Sequence, residues 1–360
     1  MFRRSSASLL RTFSRQRTQF LTEDAVLATS SGSPTQRNDS LLSANNSDSG
    51  VLRWSDPRSY STKTLQRRVL TSMRDVAQSP IEFEPMPPRR LVFMVTPEHF
   101  DVTYVINPHM DGKIGTVDKA KCIDQWHVAR EEIKKVGVKV VEIPSKPGLP
   151  DMIYAANLGL PFPAKSGVEV YMSNMAVEER AKEVPHYAEA CESVGYEVKY
   201  LPANIDFEGQ GDALWHGTRR LIWAGYGFRT DLRVYDIISS AWKVPIVALK
   251  LHDPFFYHID TALAILDNDT AVVYPKAFTD EGLSMIRTLI PRLIEVPESD
   301  AKGRLACNCF CPDGENVLIQ AGSKETNRKL KEAGYNVIEV DVSEFLKGGG
   351  SICCMKMFSW

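Results

Sequence analysis

Val136-Gly137-Val138-Lys139-Val140-Val141-Glu142-Ile143-Pro144 returns further along the chain as Val194-Gly195-Tyr196-Glu197-Val198-Lys199-Tyr200-Leu201-Pro202. Each copy puts a glycine where a helix C-terminus needs a left-handed residue, then continues in β-forming residues. The stretch reads as a helix end followed by a strand. Weaker copies follow at Val244-Pro245-Ile246-Val247-Ala248-Leu249, Leu293-Ile294-Glu295-Val296-Pro297 and Ala333-Gly334-Tyr335-Asn336-Val337-Ile338-Glu339-Val340. Ahead of the copies lie helical stretches over Val117–Lys135, Val177–Ser193, Leu232–Trp242, Glu281–Ile290 and Lys324–Ala333. Ahead of each helix come two β-like runs, as in Ala262–Leu266 and Ala271–Tyr274 joined by the turn residues Asp267-Asn268-Asp269. The unit is strand, strand, helix, strand, and it occurs five times. A period of roughly 43–58 residues predicts an α/β repeat architecture, closed or stacked. A ring of five units would gather strand ends around one central channel.

Composition narrows the function classes. Hydrophobic residues make up 43% and charged residues 24% of the 360, ordinary for a globular chain. The net charge of -2 gives no reason to expect nucleic acid. No apolar run approaches the ~18 residues of a membrane span. Seven cysteines, odd in number and unevenly placed, argue against a secreted disulfide framework and for a reducing compartment. The expected partner is a small-molecule substrate, without nucleic acid or membrane, in a chain compatible with a homo-oligomer.

The N-terminal stretch differs from the rest. Arg3, Arg4, Arg11, Arg15 and Arg17 accumulate among serines, with no acidic residue before Glu23. Residues 1–22 are therefore expected to be a mitochondrial targeting peptide; a plain basic tail would leave the chain cytoplasmic. Residues 23–90 lack sustained hydrophobic periodicity and are expected to be a mostly disordered linker. The catalytic domain is expected over residues 91–360.

Polar residues gather in a few places. One cluster is Gly148-Leu149-Pro150-Asp151-Met152-Ile153-Tyr154-Ala155-Ala156-Asn157 and a second is Phe207-Glu208-Gly209-Gln210-Gly211-Asp212. Others are Tyr226-Gly227-Phe228-Arg229-Thr230-Asp231 and Phe256-Tyr257-His258-Ile259-Asp260-Thr261. Near the C-terminus, Gly348-Gly349-Gly350-Ser351-Ile352-Cys353-Cys354 lets the backbone turn sharply and delivers a cysteine at the start of a final strand. Each cluster also has a plainer reading. Asp151 after Pro150 suits a turn, and Glu208–Asp212 matches neither the dinucleotide nor the P-loop fingerprint. His258 and Asp260 would share a strand face as a hydrogen-bonded pair. Cys307, Cys309 and Cys311 would also share one face; their C-x-C-x-C spacing is not that of structural zinc, so buried thiols are expected there.

These motifs, in this order and on five units, resemble the guanidine-modifying (pentein) superfamily. The nearest branch holds dimethylarginine dimethylaminohydrolase-like proteins and arginine dihydrolase. The resemblance runs from about Leu91 to Met357. It includes Tyr104-Val105-Ile106-Asn107-Pro108-His109-Met110, Asp118 with Gln125-Trp126, Ala224-Gly225-Tyr226-Gly227-Phe228-Arg229 and Ala306-Cys307-Asn308. It implies a five-bladed α/β propeller and a hydrolase working through a covalent thiouronium on cysteine, with no cofactor and no metal. Cys354 would be the nucleophile, His258 the general acid/base, and Glu208 the residue orienting it. Asp151 and Asp260 would hold the guanidinium, Arg229 the α-carboxylate, and Asn107 and Asn157 would line the substrate site.

The implied reaction turns dimethylarginine into citrulline and dimethylamine. Arginine dihydrolase (ornithine, ammonia and carbon dioxide) and an amidinotransferase are alternatives, and from another class a catalytically silent arginine-binding propeller. Three positions depart from the family pattern: Cys353, Asn174 where a dihydrolase would carry arginine, and Lys356 in place of a usual threonine.

Overall fold

The computed structural model describes residues 68–78 and 83–360; the expected targeting peptide and most of the expected linker lie outside the described residues. The expected helices form at Lys119–Lys135, Val184–Ser193, Arg233–Trp242, Asp280–Leu289 and Lys324–Glu332. The first is capped by the Asp118 carboxylate, which accepts from Lys121 N at 3.1 Å. Its apolar stripe of Cys122, Trp126, Ala129 and Ile133 is buried. The expected second helix is split into Glu178–Ala181 and Val184–Ser193, because Pro185 cannot donate within a helix and instead starts a new one. The helix-ending glycines are left-handed as expected, with φ of 79° at Gly137, 85° at Gly195 and 96° at Gly334; Lys243 takes the same conformation in the third unit.

Among the described residues the strands form five sheets with one pairing rule. A leading strand is antiparallel to a middle strand, which is parallel to the closing strand reached through the helix. The rule holds for Gly159–Ala164, Gly167–Met172 and Glu197–Lys199, and for Ala213–Trp215, Ile222–Tyr226 and Ile246–Lys250. It holds again for Leu263–Ile265, Thr270–Val273 and Arg292–Glu295. The sheet of Asn316–Gln320 and Asn336–Val340 has its leading strand reduced to a bridge between Phe310 and Leu318. The sheet of Leu91–Val95 and Lys139–Ile143 takes its leading strand, Lys356–Ser359, from the other end of the sequence. The fold is mixed α/β.

Described structure lies upstream of the expected boundary near Leu91. Val69–Leu70 adds a parallel strand beside Ile246–Val247, and Leu70 is buried in the core with Leu221 and Trp223. This strand is too short to show periodicity.

The site rests on what precedes each leading strand. Ala155–Leu158, Gly209–Asp212 and Ile259–Thr261 are single helical turns ahead of three leading strands. Turns at Ala306–Cys307 and Ile352–Met355 precede the other two. Consecutive turns touch. Ala156 N donates to Cys354 O at 3.1 Å and Cys353 N to Asn308 O at 3.2 Å. Asn308 Nδ2 donates to Asp260 O at 3.0 Å, and Ile259 N to Asp212 Oδ1 at 3.0 Å. Gly209 lies so close to Gly159 that a Cβ there would sit 2.6 Å from its nitrogen. Polar residues far apart in sequence are thereby brought to one place. No described helix is long and apolar enough to cross a membrane.

Candidate active site

The three glycines seat Cys354. At Gly349 the backbone is left-handed, with φ of 94°. A Cβ on Gly350 would lie 2.5 Å from Tyr154 Cε1 and 2.8 Å from Cys354 Cβ, so only glycine lets the loop close against that ring. Asn107 Nδ2 donates to Gly348 O at 3.0 Å and Tyr257 Oη to Gly349 O at 3.0 Å. The buried Asn308 carboxamide oxygen accepts from Ser351 N at 2.8 Å and Cys354 N at 3.1 Å. The Cys354 thiol donates to Asp260 Oδ2 at 3.1 Å. Burial, with the Asp260 charge beside it, pushes this thiol well above its usual range.

A second set of groups surrounds His258. Its Nε2 is 2.7 Å from Glu208 Oε2. Arg229 Nη1 donates to both Glu208 oxygens at 3.2 Å. Burial would raise the Glu208 carboxyl, but the adjacent Arg229 and His258 charges hold it well below the usual carboxylate range. On the other ring edge, Asn157 Nδ2 is 3.4 Å from His258 Nδ1. Arg180 Nη1 donates to Asn157 Oδ1 at 2.9 Å, and the same guanidinium pairs with buried Glu183 at 2.9 Å. Asp212, through Ile259 N, holds the turn on which His258 and Asp260 sit.

Both Asp151 oxygens, Asp260 Oδ1 and Asp212 Oδ2 are buried without a full hydrogen bond, although the Tyr104 hydroxyl lies close enough to Asp151 to pull its carboxyl down. Burial raises Asp151 to about 6, against the pull of the Arg180 charge. It raises Asp260 to about 7, against the Cys354 hydrogen bond and the Lys356 charge. Buried acceptors without donors are costly. Here their chemistry suits a permanently charged, planar donor such as a guanidinium.

The structure thus brings Cys354, Asp260, His258, Glu208, Arg229, Asn157 and Asn107 into one linked network, with Asp151 contributing to the same electrostatic environment. Arg229 pairs with Glu208 and donates to Ile106 O at 2.8 Å. Asn107 Nδ2 donates to the glycine loop and Asn157 Nδ2 lies against His258. Two expectations of local structure are corrected. His258 and Asp260 belong to a 3₁₀ turn, not a strand face. Cys307 lies in a turn, and Cys309 and Cys311 flank the Phe310 bridge, so the three share no strand; all seven cysteines are free thiols.

Among the described residues no group of three or more His, Cys, Asp or Glu side chains could hold a metal. Asn308, Arg180 and Asp212 join this hydrogen-bond network without having been assigned a role from the sequence, although Asp212 lay in its second polar cluster. Asn308 had a signal in the Ala306-Cys307-Asn308 motif, whereas Arg180 had none, since it looks like one more charge on an amphipathic helix.

The chain is similar to several known proteins. Residues 102–358 match the family of eukaryotic N,N dimethylarginine dimethylhydrolases. An N(G),N(G)-dimethylarginine dimethylaminohydrolase of Mycobacterium tuberculosis is 40% identical over 268 residues, 74% of this chain and 85% of the relative. The bifunctional arginine dihydrolase/ornithine cyclodeaminase ArgZ of Synechocystis is 36% identical over 74% of this chain, which spans only 37% of that protein's length. A crystal structure of the N-terminal domain of ArgZ, covalently bound to a reaction intermediate, superposes with a TM-score of 0.71 at 34% identity, over 74% of this chain and 97% of that one.

Proposed function

The chain belongs to the N,N dimethylarginine dimethylhydrolase family, and we propose that it hydrolyses the guanidino group of an arginine derivative, turning dimethylarginine into citrulline and dimethylamine. The observation that carries this reading is the set of buried Asp151 and Asp260 oxygens that lack a full hydrogen bond, with the Asp260 carboxylate also binding the Cys354 thiol. A guanidinium donating to those oxygens presents its central carbon to sulfur. Its charge also favours the thiolate over the thiol. The thiolate adds to the carbon, and protonated His258, steadied by Glu208, gives its proton to the departing dimethylamine. The covalent thiouronium remains on Cys354. His258 then takes a proton from water, hydroxide adds to the same carbon, and collapse releases citrulline and the cysteine. The covalent intermediate recorded in ArgZ supports this route.

The fold reading that goes with it is five blades of an α/β propeller around the site, supported by the common pairing rule of the five sheets and by the contacts between successive turns. We place the protein in mitochondria, on the arginine-rich start of the sequence.

Arginine dihydrolase is the second reading, favoured by the likeness to ArgZ. Against it stands Asn174, whose Nδ2 donates to Pro202 O at 2.8 Å and Ile205 O at 3.1 Å and so anchors a loop. The deciding experiment incubates the purified chain separately with asymmetric dimethylarginine and with arginine and identifies products by mass spectrometry. Citrulline with dimethylamine supports the first reading. Ornithine with ammonia moves the assignment to the dihydrolase, and no product from either leaves a binding protein.

A further inference from the structure

The turn that carries Cys354 also contributes to a separate cavity. This space of about 50 Å³ is lined by Arg89, Gln210, Cys309, Cys353, Lys356 and Phe358 among others, with no acidic side chain in its wall. A single water needs about 10–15 Å³ on this measure, so a small polyatomic ion fits. Lys356 is only 4% exposed. Its ammonium lies 3.4 Å from Cys353 Sγ and 4.5 Å over the Phe310 ring. The Arg89 guanidinium stacks 4.5 Å over Phe358, and burial lowers it to about 10. Neither cation makes an ion pair among the described residues. Gln210 is committed to the backbone of Phe358 through both ends of its amide.

Buried Lys356 and half-buried Arg89 line the same half-open cavity, and their combined charge favours a counter-charge there. The Cys353 thiolate and the Asp260 carboxylate are internal sources, but burial pushes both groups up, with Lys356 pulling only partly against it. An external anion is the better match. We propose that this cavity binds a small inorganic oxyanion of the phosphate or sulfate class, held by Lys356 Nζ and the Arg89 guanidinium. The location gives it a consequence. Lys356 pulls the Asp260 carboxyl down, and a bound anion offsets that pull. Phosphate then makes Asp260 harder to ionise and slows turnover near neutral pH. That consequence rests on the guanidino-hydrolase reading; the binding itself does not.

The test titrates inorganic phosphate into the full chain by calorimetry at constant ionic strength, with parallel melting curves. Saturable binding of one phosphate per chain is expected, with a rise in Tm of about 2–4 °C. Lys356→Met and Arg89→Gln should each weaken it at least tenfold, and saturating arginine or dimethylarginine should weaken it only partly, without competing it away. Should Lys356→Met fail to fold, Arg89→Gln decides alone. Absence of saturable binding overturns the proposal, as does binding unchanged in the variants or competed away completely by arginine. Rapid alkylation of Cys353 at pH 7, indifferent to phosphate, would make the thiolate the counter-ion of Lys356 and overturn it equally.

Discussion

Cys354 donates its thiol hydrogen to Asp260 Oδ2 at 3.1 Å, so the proposed nucleophile and one of the carboxylates proposed to hold the substrate are bonded to each other. The pair is buried, and burial raises both groups: Asp260 to about 7 and Cys354 well above its usual range. A guanidinium entering this pair takes up the Asp260 oxygens and supplies the positive charge that the thiolate lacks. In the proposed reaction, ionisation of Cys354 is coupled to substrate binding, and the thiol stays protonated without substrate.

The first expected outcome is an acid limb in the pH profile. Asp260 and Asp151, raised to about 7 and about 6, must be ionised to hold a guanidinium. The quantity kcat/KM should fall as pH drops from 7.5 to 5, with the limb near 6–7 rather than near 4. A steady-state profile on dimethylarginine checks this, and a flat profile down to pH 5 would remove Asp260 from the binding role.

Stability should move the other way. An acid whose folded pKa is raised from 3.8 to about 7 contributes stability that is present at low pH and lost as pH rises through 7. Asp260→Asn abolishes that loss while still offering an acceptor to the Cys354 thiol. At pH 8 this variant should melt higher than the parent, and its turnover should fall at least about 100-fold. Melting curves at pH 5 and pH 8 separate the two effects.

The two adjacent cysteines should behave differently. Cys354→Ser should lower kcat by at least about 10³-fold. Cys353→Ser should stay within about threefold, because the Cys353 thiol contacts Lys356 and the separate cavity rather than Asp260. Equal losses in both variants would require a shared role.

Glu208→Gln should be severe in a different way. It leaves Arg229 and His258 buried without the carboxylate that both contact. A stability loss of about 3–5 kcal/mol is expected, together with a fall in kcat of about 10²–10⁴-fold. Denaturant unfolding and turnover measured on the same preparation check both.

Asn308→Ala should act on positioning. The side chain accepts from Ser351 N and Cys354 N and donates to Asp260 O. Its loss leaves buried amides unpaired, at about 1–3 kcal/mol for each. The expected kinetic signature is a lower kcat with little change in KM. Partial recovery in Asn308→Asp, which keeps the oxygen that accepts both N–H bonds but loses the donor to Asp260 O, would distinguish positioning from loss of packing.

The sequence by itself determined the five units, their helices and the candidate cysteine. These depend on local signals: a left-handed glycine at a helix end, a strand's run of β-branched residues, and three glycines that permit one sharp loop. It also pointed to His258, Glu208, Asp151 and Asp260, through the polar clusters and the resemblance they carry; each sits in or beside a short helical turn. It could not show that Val69–Leu70 joins a sheet, since two residues carry no period.

Only the tertiary structure decided who partners whom. Arg229 pairs with Glu208 across 21 positions and Cys354 with Asp260 across 94. Asn308 bridges the turn of Asp260 and the turn of Cys354 from a third unit, and Arg180 reaches Asn157 from the surface of a short helix. Such contacts depend on the docking of separate units and on which buried charges find counter-charges. Neither quantity is written in any local stretch of chain.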